Sequence, residues 1–132
     1  MIQRIATVLS LLLLFAVPAW AIDFTVSASI VTATYMEPTT NADTPPTALT
    51  DLARTNVYFQ IAGQPAVRGP NVPASALTGG GAITTTVTIP IGPNQQGDVT
   101  FWATATDLSG NESVPSVSVV RRIDRLAPGS PQ

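Results

Sequence analysis

Cysteine, histidine and lysine are all absent from the chain. Without cysteine there is no disulfide to staple an exported domain and no thiolate nucleophile, so packing alone supplies stability. Without histidine there is no Ser-His pair, and the two absences together remove the ordinary zinc ligand sets. Without lysine, positive charge rests on six arginines, against eight aspartates and glutamates. Scattered as they are, they build no basic face of the size that phosphate neutralisation requires, which excludes nucleic acid as a partner. Paired carboxylates remain as a catalytic device, but the acids are dispersed on loop segments with no cleft in which to raise a pKa. The composition points away from an enzyme and calls for no cofactor or metal.

Long apolar runs are also scarce. The clearest lies in MIQRIATVLSLLLLFAVPAWA, where Arg4 precedes an apolar stretch from Ile5 to Val17 and Pro18 ends it. Ala19-Trp20-Ala21 then gives the small-x-small pattern of a signal peptidase site. The run falls short of the roughly 20 residues that span a bilayer. Residues 1–21 are read as a signal peptide, and no cysteine follows for a lipid to modify. The expected product is secreted or periplasmic, with no stable membrane insertion after cleavage. Removing the leader takes away Arg4 and no acid, leaving five arginines against eight acids and a net charge of −3. Its 111 residues suffice for one domain with a genuine core.

Helical periodicity is missing too, and short alternating runs separated by turn residues take its place. In FTVSASIVTATY, Phe24, Val26, Ala28 and Ile30 share one parity and Val31, Ala33 and Tyr35 the other, so the phase changes at Ile30-Val31 through a bulge or a junction of two strands. EPTTNADTPPTALTD is a polar, proline-rich loop. TNVYFQIA sets Val57, Phe59 and Ile61 against Tyr58 and Gln60. GQPAVRGPNVPASALTGGG is mostly connection, with room for a short edge strand near Val67. AITTTVTIPI aligns Ile83, Thr85, Val87, Ile89 and Ile91, and VTFWATATD aligns Val99, Phe101, Ala103 and Ala105 opposite Thr100, Trp102, Thr104 and Thr106. SVSVVRRI, with Val117, Val119 and Ile123 in register, closes the set. The expectation is an all-β, antiparallel β-sandwich of six to seven strands over residues 22–124, with a flexible C-terminal tail over 125–132.

Three segments carry a family resemblance. VTATYMEPTTNADTPPTALTDLARTNVYFQIAG resembles the second strand, proline-rich loop and third strand of a bacterial fibronectin type III domain. VTFWATATDLSGNESVPS resembles the sixth strand and its following loop, and SVSVVRRI the seventh strand. The chain departs from the family pattern at Tyr35, where the second strand usually buries a tryptophan, and at Val99, where the tyrosine of the tyrosine corner usually stands. The resemblance implies an immunoglobulin-like sandwich and an extracellular interaction module rather than a catalyst.

The densest group of polar residues is TATDLSGNES. Read as turn chemistry, Asp107 ends a strand, Ser109-Gly110 reverses the chain and Asn111 tolerates positive φ. Read as a calcium loop, Asp107 and Glu112 supply carboxylates with Ser109 and Asn111, though the spacing is not that of the helix-flanked calcium motif. Asn111 also opens an N-x-S triplet, a glycan acceptor in a eukaryotic secreted chain. Trp102 falls on the outward parity of its strand and Tyr58 on that of its own; together they would form a contact face. Alternatively Trp102 lies under the Gly63–Gly81 connection or beside Arg121 or Arg122. The two arginines read as a solvated strand end, and Arg68-Gly69-Pro70 lacks the aspartate of the integrin-binding tripeptide.

Three roles fit these residues. One is a non-catalytic binding or adhesion module whose partner is a protein or cell-surface polymer, met at Trp102 and Tyr58, with Asp107 and Asn111 as loop candidates. The second is a self-assembling subunit of a fibre or surface layer, because the opening strands carry no charge from Phe24 to Met36 and no lysine guards any sheet edge. The third is a carbohydrate-binding module, for which Tyr58 and Trp102 are the exposed rings.

Overall fold

The computed structural model describes residues 21–132, so the expected signal peptide lies outside the described residues except for Ala21. Among the described residues, seven strands follow one another without a helix: β1 (Asp23–Ser27), β2 (Ile30–Met36), β3 (Leu52–Ile61), β4 (Val67–Pro73), β5 (Ala82–Thr88), β6 (Gln96–Asp107) and β7 (Val119–Asp124). They form two antiparallel sheets, ordered β1-β2-β5 and β4-β3-β6-β7, packed as a β-sandwich. The alternation of each strand is what permits this, because one face of each sheet is apolar and must be covered.

The phase change in the opening run is a hairpin. Phe24 pairs with Ala33 and Val26 with Val31, and the two-residue loop Ala28-Ser29 reverses the chain. Ala28 has φ 54°, the positive value that mirror-image hairpin turns require at their first central position. Each strand thus keeps its own apolar parity facing inward.

Phe24, Val31 and Ala33 from the smaller sheet meet Val57, Phe59, Val99 and Phe101 from the larger, with Val87, Ile89 and Ile123 filling the remaining core. Phe24 and Phe101 stack across the gap at 4.9 Å. The Tyr35 hydroxyl and Thr55 Oγ1 lie 2.7 Å apart and tie β2 to β3. Burial holds the Tyr35 phenol above its ordinary pKa.

The Gly63–Gly81 segment, expected to be mostly connection with a short edge strand near Val67, contains the seven-residue edge strand β4, which starts at Val67. Pro70 and Pro73 obscure its full length in the sequence, and the strand is tolerated because an edge strand need not donate on its open side. The connection from β4 to β5 is pinned by the buried Glu37, whose carboxylate accepts from Ser75 N at 2.8 Å, from Gly81 N at 3.0 Å and from Ser75 Oγ.

The last strand is shorter than its valines suggested. Val117 precedes β7 and is 82% exposed, as is Val114. Ser113 and Ser116 explain this. Ser113 N donates to the Ala105 carbonyl while its Oγ accepts from Ala105 N; Ser116 does the same with Ala103. Each serine satisfies both backbone groups of one β6 residue, so three chain residues advance for every two of β6, and the valine after each serine, Val114 and Val117, is left outside the ladder. With Ile22, Tyr35 and Met36 they line a cleft of about 510 Å³ between the sheets. The start of the expected tail is held: Arg125 N donates to the Gln95 carbonyl at 2.9 Å and Arg125 Nη1 to the Ile91 carbonyl at 2.8 Å.

Candidate functional site

Tyr58 and Trp102 are directly opposite one another in the β3–β6 register. Their chain neighbours Val57, Phe59, Phe101 and Ala103 are buried in the sandwich, so strand alternation turns both aromatic rings to the outer face. There they stack with centroids 5.6 Å apart and parallel planes. On the far side of Tyr58, its β4 register partner Arg68 brings its guanidinium carbon 6.0 Å from the ring centroid, within cation–π range. Arg68, Tyr58 and Trp102 therefore form one row across three adjacent strands.

A polar layer beside the row holds it in place. Asn56 is 0% exposed although its parity points outward. Its Nδ2 donates to Thr104 Oγ1 at 3.1 Å and Thr106 Oγ1 at 3.0 Å, and its Oδ1 accepts from Arg68 at 2.6 Å. A buried amide saturated in this way fixes its neighbours, because any other arrangement leaves polar groups unpaired. Glu112 reaches in from the loop after β6 and accepts from the Tyr58 hydroxyl at 2.8 Å and from Thr104 Oγ1. The bonds from Thr104 and then Tyr58 hold the Glu112 carboxyl below its ordinary pKa, and the Glu112 bond holds the Tyr58 phenol above its own. Arg54, one outward position along β3, adds positive charge that favours the ionised Glu112; its Nε is buried without a hydrogen-bond partner.

Asp107 and Asn111 serve a different purpose. Asp107 accepts from Asn111 N at 2.9 Å and from Asn111 Nδ2 at 2.8 Å, and Gly110 takes the positive φ of 89°. Those bonds, the side-chain one first, hold the Asp107 carboxyl below the usual range. TATDLSGNES is therefore folded as a self-bonded turn whose geometry delivers Glu112 to Tyr58. The two carboxylates imagined as joint calcium ligands are directed to separate partners, and among the described residues no group of three or more acidic, histidine or cysteine side chains converges.

The structure thus brings Tyr58 and Trp102 together and sets Asp107 and Asn111 at the turn beside them. Sequence reasoning passed over Arg68, Asn56 and Glu112 as members of this face. The alternation of Arg54, Asn56 and Tyr58 was a usable signal, since all three share the outward parity. The Gly63–Gly81 segment reaches the row through Arg68 at the Tyr58 ring, and in the β6–β7 register Arg121 and Arg122 stand opposite Val99 and Asp98 rather than Trp102. Those arginines are not simply solvated: Arg121 Nε donates to the Phe24 carbonyl at 2.9 Å and its Nη2 pairs with Asp23 at 3.3 Å, while Arg122 pairs with Asp98 at 3.0 Å.

Comparison with protein-family models, with curated proteins and with solved structures gives no match.

Proposed function

We propose that this chain is an exported, non-catalytic binding module of fibronectin type III type, and that it contacts a protein or cell-surface polymer through the Arg68–Tyr58–Trp102 row. The observation that carries this reading is the pre-ordering of the row. Tyr58 is fixed by Glu112 and by stacking, and Arg68 by the buried Asn56. Large aromatic and arginine side chains already held in place lose little rotamer entropy on binding, and such residues dominate contact energetics. A row maintained only for packing has less need of a buried amide and a charged loop residue to position it.

The family part of the proposal is supported by order. The segments that resemble the second, third, sixth and seventh strands of the family contribute strands at those same positions in the chain. Mutual stacking of Tyr58 and Trp102 occupies one face of each ring, which favours a protein contact over a saccharide that needs free ring faces.

The test is affinity capture from envelope and secreted extracts of the source organism, read by mass spectrometry. Wild type is compared with Trp102→Ala and Arg68→Glu, both checked for cooperative unfolding. A protein or polymer retained by wild type and lost from both folded variants is the expected result. Equal retention by all three would remove the row from the binding site.

A further inference from the structure

Each sheet ends in two edge strands, and three of the four are blunted in ways that discourage strand addition. β1 is five residues long, and Arg121 occupies its Phe24 carbonyl. β4 contains Pro70 and Pro73 and breaks register between Asn56 and Tyr58. β7 carries Arg121, Arg122 and Asp124, and the serine-bulged segment before it already satisfies β6.

β5 has none of these devices. AITTTVT contains no charge and no proline, and it pairs with β2 through seven consecutive positions without a shift. Two flanking bonds reveal which backbone groups face outward. Glu37 N donates to the Gly81 carbonyl, and Ile89 N donates to the Ser29 carbonyl, so the odd-numbered residues from 81 to 89 turn their peptide groups toward β2. Strand geometry then turns the N–H and C=O of Ala82, Thr84, Thr86 and Thr88 to the open side. β4 meets β5 where Gly69 lies against the inward Val87 side chain, away from the outward faces of Thr84 and Thr86, which are exposed.

We infer that the occupant of this edge is the β5 strand of a second copy, paired antiparallel about a two-fold axis through Thr85. The pattern of open groups is self-complementary about that residue. Ala82 faces Thr88 of the other copy and Thr84 faces Thr86, so every outward donor meets an outward acceptor. Ile83 and Val87 oppose each other on the inner face, and the threonines form cross-strand pairs on the outer one. An uncharged strand imposes no like-charge repulsion on its own copy. The contact is isologous and closes on itself, giving a six-stranded sheet across a dimer rather than a fibre. This inference does not depend on the ligand-binding row; its consequence for that row is that each dimer presents two copies of it, which raises avidity for a repetitive surface.

Sedimentation velocity of the purified protein over a concentration series tests it, with three variants. Thr86→Pro removes an open-side N–H and leaves the bonds to β2 intact. Thr84→Lys/Thr86→Lys places lysine opposite lysine twice in the proposed register. Thr84→Lys/Thr86→Glu places lysine opposite glutamate twice. Wild type and the Lys/Glu variant are expected to dimerise. The proline and Lys/Lys variants are expected to weaken dimerisation by about tenfold or more while unfolding as cooperatively as wild type. A wild type that stays monomeric at its highest soluble concentration overturns the inference, as do proline and Lys/Lys variants that dimerise like wild type. A Lys/Glu variant that behaves like Lys/Lys overturns the register.

Discussion

The hydroxyl of Tyr58 donates to Glu112 at 2.8 Å across a sequence separation of 54 residues. This one bond joins the outer face of the larger sheet to the loop that follows β6, so the state of a carboxylate governs how that loop sits on the aromatic row.

A pH dependence follows. The folded pKa of Glu112 lies below its ordinary value, so its contribution is complete above the unfolded carboxylate pKa and is lost as pH falls through the folded one. The same bond raises the Tyr58 phenol, whose contribution is complete below the ordinary tyrosine value and is lost as pH rises through the folded one. Asp107 is lowered as well, so acid loss has more than one source. Glu112→Gln is expected to flatten part of the acid limb of a stability profile and Asp107→Asn another part. Thermal unfolding from neutral to acid pH measures both, and Trp102 fluorescence should respond more strongly to Glu112→Gln, which changes the Tyr58 bond directly, than to Asp107→Asn, which acts on it only through the turn.

Stacking of Tyr58 on Trp102 predicts a coupling between them. A double-mutant cycle of Tyr58→Ala and Trp102→Ala, read by urea denaturation, is expected to give an interaction of about 0.5–1.5 kcal/mol. Additive losses would mean that the two rings are merely neighbours.

Asn56 predicts a larger effect from a smaller change. Truncation to alanine takes a partner from Thr104, Thr106 and Arg68 at once. The expected loss is about 2–3 kcal/mol, the cost of leaving buried polar groups without partners. Thr34→Ala, on an exposed position of β2, serves as the near-neutral control.

Two glycines with similar backbones should respond differently. Gly63 has φ 78° and open space where a Cβ would stand, so alanine there meets only the left-handed penalty of about 1–2 kcal/mol. Gly79 has φ 64°, and its Cβ would fall 1.9 Å from the Pro38 carbonyl oxygen. Gly79→Ala is expected to cost clearly more than Gly63→Ala in denaturant melts, because backbone must move as well.

The sandwich was legible because alternation is a local property. Ile83, Val87, Ile89 and Ile91 face the core as their parity demands, and the outward parity of Tyr58 and Trp102 was visible beside buried Phe59 and Phe101. Other features are set by contacts distant in sequence. Val117 has the parity of β7 yet leaves the strand because Ser116 bonds Ala103 on both sides. β4 begins at Val67, where a short edge strand is expected, but its full length to Pro73 is obscured by prolines that only an edge position accommodates. Arg68 and Glu112 joined the site through registers that no single segment encodes, since one belongs to that edge strand and the other to a turn shaped by Asp107. The opening run, read as a long uncharged stretch, is a hairpin, and Arg121 bonds the Phe24 carbonyl of its first strand.

The bond from Arg121 to the Phe24 carbonyl spans 97 residues of sequence, and it has a temporal side. A chain that emerges with its amino end leading exposes β1 before the other strands, yet the arginine that clasps β1 appears only with β7, after all six strands before it. Until then the first hairpin has one unguarded flank, and the sandwich stays open along the side where β1 meets β7. Completion of the sandwich is thereby tied to the arrival of β7, and a product truncated before it is left with the Phe24 carbonyl of β1 unoccupied by Arg121.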